Sequence, residues 1–160
     1  VNMSINISGR HFRQGNLIDT LKANIRCFDL APEYITVEIT ETSLIKSQQY
    51  ALKTLLRLRD LGISISLDDF GTGYSSLSYL SSYPINKLKI DRSFVTEVHC
   101  DSDKAAIINA IIAMSHTLNL SVTAEGVETV EELAFLKDRK CDIVQGYYFS
   151  RPLSPEDAGK

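Results

Sequence analysis

Cysteine is scarce in this chain: Cys27, Cys100 and Cys141 are the three among 160 residues, odd in number and widely, irregularly spaced. Such spacing matches no zinc-ligand pattern and no disulfide framework, so free thiols in a reducing cytosol are expected, and nothing singles one out as a nucleophile. Basic charge is lacking too. A net charge of −3 argues against a surface built to bind a nucleic-acid polymer, which needs clustered Lys and Arg. No apolar run approaches the roughly 18 residues of a membrane span, and no signal peptide is apparent; a cytoplasmic location is the expectation. There is no initiating methionine. The chain opens on Val1-Asn2-Met3-Ser4-Ile5-Asn6-Ile7-Ser8, already in a strand-like pattern, and reads as a piece of a longer polypeptide.

Hydrophobic residues make up 44 % and charged residues 23 %, enough to build the core of one domain. Strand signatures of alternating apolar and polar residues recur at Ser4–Ser8, Tyr34–Thr40, Ile63–Asp68, Lys87–Asp91, Leu120–Ala124 and Ile143–Gly146. Helical spacing fills the intervals: Leu17 to Phe28 behind Asn16, Ser47 to Leu61 with Leu52, Leu55 and Leu56 inward, Ser102 or Asp103 to Leu118, and a helix from Thr129. A shorter helix is expected around Leu77 to Ser81, and Gly9 to Gly15 reads as a polar connection. Six strands alternating with helices predict a parallel α/β sheet, either doubly wound or a (β/α)₈ barrel. No G-x-G-x-x-G or P-loop follows the first strand, which counts against a nucleotide-binding doubly wound sheet. A barrel needs about 250 residues, so this chain would supply about six of eight units.

Polar residues gather at the C-terminal strand ends, where a barrel carries its chemistry. They are Asn6, Glu38, the adjacent Asp68 and Asp69, Lys89 with Asp91, Glu125 with Glu128, and Gln145. Strands covered on both faces should be apolar at such positions, so six polar ends on one rim call for a function. Asn6, Glu38, Asp68, Asp69 and Glu125 offer only hard oxygen ligands, which suits magnesium or manganese better than zinc. Asp68 is placed to bridge two ions, with Asp69 and Glu125 on one and Asn6 and Glu38 on the other. Such a pair would clamp a phosphoryl group and activate a water. Lys89, the lone cation among these acids, would orient that water and stabilise charge on phosphorus, or else neutralise its neighbours. Gln145, neither acid nor base, would hydrogen-bond water or substrate. Tyr147, Tyr148 and Phe149 would stack on a base or join the core. Asp69-Phe70-Gly71 also occurs in kinases, but no accompanying nucleotide loop or His-Arg-Asp loop is present. His11, His99 and His116 show no metal spacing.

Six segments in order, Ser4–Ser8, Val37–Glu41, Asp68–Leu77, Lys89–Asp91, Ala124–Thr129 and Gln145–Phe149, resemble the motif series of EAL domains, bacterial phosphodiesterases of cyclic di-GMP. The resemblance covers essentially all of residues 1–160. It implies a TIM-like barrel that hydrolyses one phosphodiester bond of cyclic di-GMP to linear pGpG with Mg²⁺ or Mn²⁺, two ions being expected. By motif, Asn6, Glu38, Asp68, Asp69 and Glu125 resemble the metal ligands, Lys89 the water- or phosphate-contacting lysine, and Glu128 and Gln145 its supporting polar residues. Phe70, Gly71, Thr72 and Gly73 resemble a regulatory loop that couples dimerisation to metal binding, and Glu41 the glutamate that anchors it. Asp91, Tyr148, Arg151 and Pro152 complete the set as candidate substrate contacts.

The implied partners are cyclic di-GMP, a second copy of the domain, and a sensory or GGDEF domain upstream. The Glu-Ala-Leu signature lies on the family's first barrel strand, ahead of the matching residues. Its metal-ligating glutamate and a nearby phosphate-contacting arginine are therefore expected before Val1, and weak or absent hydrolysis is expected of residues 1–160 alone. A non-catalytic cyclic di-GMP receptor, and a phosphodiesterase for another nucleotide, are the alternative readings.

Overall fold

Apolar residues alternating with polar ones in β-prone segments give most of the strands one apolar and one polar face. A computed structural model describes residues 2–46, 48–72, 80–154 and 156–157. The strands are β1 (Met3–Asn6), β2 (Ile35–Thr40), β3 (Ser64–Phe70), β4 (Lys87–Ile90), β5 (Ser121–Glu125) and β6 (Ile143–Gln145). They form one sheet in the order β1-β2-β3-β4-β5-β6, every neighbouring pair parallel. A doubly wound sheet reverses its strand order at a switch point. This sheet never reverses. Right-handed crossovers that always advance in one direction place the helices on one side and curl the sheet, which makes it a parallel (β/α) half-barrel.

The helices are α1 (Gly9–Gln14), α2 (Leu17–Cys27), α3 (Glu41–Lys46), α4 (Gln48–Asp60), α5 (Arg92–Val95), α6 (Ser102–Thr117) and α7 (Val130–Asp138). The core lies between them and the outer face of the sheet: Val37, Ile39, Ile65, Leu67, Leu88, Ile90, Val122 and Ala124 pack with Leu21, Leu55, Leu58, Ile108 and Leu136. The opposite face follows the register across Thr36↔Ser64, Glu38↔Ser66, Thr40↔Asp68, Lys87↔Ser121, Lys89↔Thr123 and Glu125↔Gln145. Barrel interiors are usually filled by bulky branched residues. Here the inner face carries mostly polar side chains along its depth, not only at its rim, with Ile143 of β6 opposite Thr123 as an apolar exception.

Several local expectations change. Residues 9–14 are helical, not a connection, with Ser8 and His11 closing a capping box. Asn16 makes no side-chain cap bond to α2. In α4 the buried stripe is Ala51, Leu55 and Leu58, whereas Leu52 is exposed and Leu56 only half-buried. α6 is capped by Asp101, whose side chain accepts from the Asp103 and Lys104 amides. Ser47 and residues 73–79, including Gly73 and most of the short helix expected near Leu77, lie outside the described residues.

β6 ends against the β5–α7 connection. The Val127 amide donates to the Gln145 carbonyl and the Tyr148 amide to the Val127 carbonyl, both at 3.0 Å. A Cβ on Gly146 would stand 2.1 Å from the Val127 carbonyl oxygen and 2.3 Å from its nitrogen, so only glycine allows this approach. Gly146→Ala is expected to lose about 3 kcal/mol of stability, because backbone rather than a flexible tip must shift. Gly15→Ala, at φ 72° with nothing within 4 Å, is expected to lose only about 1–2 kcal/mol. Urea unfolding midpoints of the two variants measure the difference.

Candidate metal centre and active-site rim

Lys89 extends from β4 on the polar face and is almost fully buried, at 6 % exposure. Its ammonium lies 2.6 Å from Glu125 Oε1, 2.8 Å from Glu38 Oε2 and 3.2 Å from Asp68 Oδ1. These partners stand on β5, β2 and β3. Strands pair at about 4.8 Å, so β2 and β4 are some 10 Å apart along a flat sheet. Curling of the half-barrel and the length of the lysine stem close that gap. Burial by itself would weaken the ammonium's hold on its proton. The bonds to Glu125 and Glu38, with the charges of Glu125 and Asp68, outweigh it and raise the Lys89 pKa well above its ordinary value.

Asp68 and Asp69 are consecutive, and simple alternation would send them to opposite faces. A register shift between Leu67 and Phe70 prevents this: Leu67 pairs with Leu88 and Phe70 with Ile90, so two residues oppose the single Lys89. This is a β-bulge, and Asp69 is its extra residue, at φ 55°. The Asp69 amide donates to Asp68 Oδ1 at 3.1 Å, while its carbonyl accepts from the Thr72 hydroxyl at 2.9 Å. One oxygen each from Asp68, Asp69 and Glu125 then fall within 4.8 Å of one another.

This cluster carries more negative charge than Lys89 neutralises. The Asp69 pKa is raised by burial first and then by Asp68 and Asp91. That of Glu125 is raised by burial, against the pull of Lys89 and with the help of Asp68 and Glu38. Converging carboxylates that resist ionisation, all hard oxygen donors, fit a divalent cation of the magnesium, manganese or calcium type. Glu38 spends Oε2 on Lys89, and Asn6 lies beside Glu38 in the β1–β2 ladder, on an exposed edge.

The remaining sequence candidates divide. Glu41 is buried at 1 % exposure, and its Oε2 accepts from the Gly71 amide at 3.4 Å, tying α3 to the segment that follows the bulge. Phe70 is buried, whereas Gly71 and Thr72 continue the turn. Glu128 pairs with Arg92 at 2.9 Å, and together with Glu125, Gly126, Gln145, Gly146 and Tyr147 they line a cleft of about 240 Å³. Asp91 caps α5, accepting from the Ser93 amide and hydroxyl. The aromatic run is not core: Tyr147, Tyr148 and Phe149 are 49 %, 42 % and 57 % exposed. Tyr148 meets Phe149 edge-on, Arg151 lies over the Tyr147 ring at 4.9 Å, and Pro152 is exposed.

Two residues escaped the sequence reading. Arg92 looks like an ordinary surface cation; its position three residues beyond Lys89 was the available signal. Glu132 looks like a helix-surface acid. It is 3 % exposed and accepts from the Glu97, Glu128 and Thr129 amides at 3.0, 2.8 and 3.1 Å, which holds the segment carrying Glu128. The T-x-x-E spacing of a capping box was legible there.

A one-directional parallel half-barrel with an acidic, cation-fitting rim around a buried lysine defines a class of metal-assisted barrel domains. The chain belongs to the EAL domain family, whose profile matches residues 1–152. It is 44 % identical to the signaling protein YkoW of Bacillus subtilis over 98 % of its length and 20 % of that protein. With the cyclic di-GMP phosphodiesterase NbdA of Pseudomonas aeruginosa it shares 43 % identity over 94 % of its length and 19 % of the relative. It thus spans about a fifth of the length of each of these two relatives. Among solved structures, the PaMucR phosphodiesterase in complex with c-di-GMP superposes with a TM-score of 0.93 at 41 % identity, over 98 % of this chain and 64 % of that one. The manganese/cy-diGMP complex of Klebsiella pneumoniae BlrP1 gives 0.89 at 33 % identity, over 94 % and 39 %.

Lys89→Met removes the cation from among Glu38, Asp68 and Glu125. The Glu125 carboxyl, already pushed up by burial, then loses the cation that pulls it down and rises further, so the folded state binds more protons there and stability falls as pH increases through it. The variant is expected to lose more stability between pH 5 and pH 8 than the wild type does, unfolding at lower urea at pH 8 than at pH 5, and millimolar Mn²⁺ should recover part of it. Equal midpoints at both pH values would contradict the neutralising role of Lys89.

Proposed function

We propose that this chain is the C-terminal two-thirds of a domain that opens one phosphodiester bond of cyclic di-GMP and releases linear pGpG. The observation that carries this reading is the Lys89 ammonium held by three carboxylates beside the Asp68–Asp69–Glu125 cluster. The names of NbdA and of the PaMucR complex support the substrate. Asp68, Asp69 and Glu125 would hold one Mg²⁺ or Mn²⁺, and Glu38 and Asn6, with Asp68 shared, a second. When bound, such ions supply Lewis acidity toward a phosphoryl oxygen and lower the pKa of the attacking water.

The protein's own groups do the rest. Lys89 stays protonated across the working pH range, so it acts as a fixed donor toward negative charge growing on phosphorus and never as a base. Its three anchors keep that donor from reorganising during the reaction. Gln145, opposite Glu125 in the ladder, offers a neutral amide to water or substrate. Glu41 sets the position of Gly71 and so of the turn behind Asp69.

A homodimer, an attached sensory or GGDEF domain and a cytoplasmic location belong to the same proposal. The dimer is supported by an apolar cleft of about 490 Å³ between Phe70, Gly71, Phe94, Ile107, Ala110, Ile111 and Met114, next to the bulge. The attached domain is supported by the name of the bifunctional diguanylate cyclase/cyclic di-GMP phosphodiesterase MucR, of which the chain covers 23 %. Free Cys27, Cys100 and Cys141 support the location.

In the full-length protein carrying this chain, Asp68→Asn is expected to lower metal-dependent turnover of cyclic di-GMP at least about 10³-fold, with the circular dichroism of the wild type retained. Near-normal turnover by that variant would overturn the assignment of Asp68. Sedimentation of the same protein at micromolar concentration tests the dimer, and a monomer would refute it.

A further inference from the structure

A cavity of about 200 Å³ opens where α1, α2 and α4 meet, on the side of the sheet that the helices cover and away from Lys89 and its acids. Its floor is apolar and buried: Phe12 of α1 and Leu17 and Ile18 of α2 belong to the hydrophobic core. Gly15, at φ 72°, links the two helices at the wall. A Cβ on it would meet nothing within 4 Å, so the space beside it is open. α4 supplies the lip with Tyr50, Lys53, Thr54 and Arg57, which recur at three and four residues and so share one face.

This lip carries positive charge and hydrogen-bond donors that the protein leaves uncommitted. Lys53 makes no ion pair or hydrogen bond among the described residues. Arg57 reaches Asp19 at 4.0 Å through exposed side chains, a contact worth little, and Asp19 does not line the cavity. His11 is fixed in one tautomer. The Ser8 amide donates to its Nδ1 at 3.2 Å, so the ring proton sits on Nε2 and makes that nitrogen a donor. Among the described residues no acidic side chain lines the cavity, although the chain as a whole has a net charge of −3.

Water would satisfy the cations but leave the apolar floor wet. An anion with an apolar body satisfies both, because the body displaces water from Phe12, Leu17 and Ile18 while the charge stays at the lip. Size narrows the class further. A cavity of about 150 Å³ holds benzene, so about 200 Å³ accommodates one ring and a carboxylate. A guanidinium grips a carboxylate through two parallel N–H bonds, and the ammonium one turn away adds a second positive charge.

We propose that this cavity binds a small carboxylate carrying a ring-sized apolar body. Arg57 and Lys53 take the carboxylate, His11 Nε2 is a further donor, and Phe12, Leu17 and Ile18 hold the body. The site is separate from the acidic rim and rests on no part of the cyclic di-GMP reading.

The test is calorimetric titration of the full-length protein carrying this chain with sodium benzoate at constant ionic strength. Acetate supplies the charge without the ring, and benzyl alcohol the ring without the charge. Benzoate is expected to bind with a Kd of about 1 mM or tighter, and the other two at least about tenfold more weakly. Arg57→Met and Lys53→Met, both at exposed positions, should each weaken benzoate at least about fivefold. Thr54→Leu keeps both cations but adds bulk to the cavity wall, and should weaken it at least about tenfold. Circular dichroism checks that each variant folds as the wild type does. No benzoate binding up to about 10 mM, acetate or benzyl alcohol bound as tightly as benzoate, or unchanged affinity in Arg57→Met or in folded Thr54→Leu overturns the proposal.

Discussion

The buried ammonium of Lys89 is the constraint on which the rest of the site depends. A cation at 6 % exposure is tolerable only if its desolvation is offset, and here Glu38, Asp68 and Glu125 offset it from three different strands. The same contacts run in the other direction. Carboxylates packed this closely on a sheet would repel one another apart without a cation between them. Lys89 therefore stitches β2, β3 and β5 across β4, and it does so where a curled sheet brings distant strands within reach of one long side chain. A flat sheet of the same sequence would leave Glu38 out of range.

That arrangement explains why the inner face around Lys89 is polar. Ser64, Ser66, Ser121 and Thr123 are small, so they leave room for the Lys89 stem and the acids above it, whereas branched residues would fill the space. Stability then has to come from the outer face, where a continuous apolar layer packs against the helices. One face of the central strands holds the domain together and the other brings the charged groups to one place.

The carboxylates themselves fall into two electrostatic kinds. Burial works against the charged form of Glu132 and Asp142, but backbone amides outweigh it and lower both pKa values; Glu132 receives the amides of Glu128, Glu97 and Thr129, and Asp142 that of Val122 together with His116. These are anchors, satisfied by the protein. Asp69 and Glu125, in contrast, are raised by burial and by one another's neighbours. They are left short of positive charge, and that shortfall is what an added cation would relieve. Acidic side chains in one domain thus divide into fasteners and ligands by what faces them, not by residue type.

From sequence alone, much was legible. Period-2 alternation located all six strands, because β-branched residues next to polar ones report a sheet with unlike faces, and the order of the motifs identified the family. Asp68, Lys89 and Glu125 could be placed on one rim since each ends a strand of that pattern. What periodicity could not supply was geometry. Asp69 was placed on the rim beside Asp68, which strict alternation does not explain; only the bulge opposite Lys89, an effect of pairing between β3 and β4, keeps both there. Periodicity could not tell Glu132 from a solvated helix acid or Arg92 from a surface cation, because burial and partners there come from Glu97, Gly126 and Glu128, which lie on other turns of the chain. The sequence by itself determined which residues carry charge and which faces are apolar. Tertiary structure alone decided which of those charges meet, since contact between strands is set by curvature, register and one extra residue.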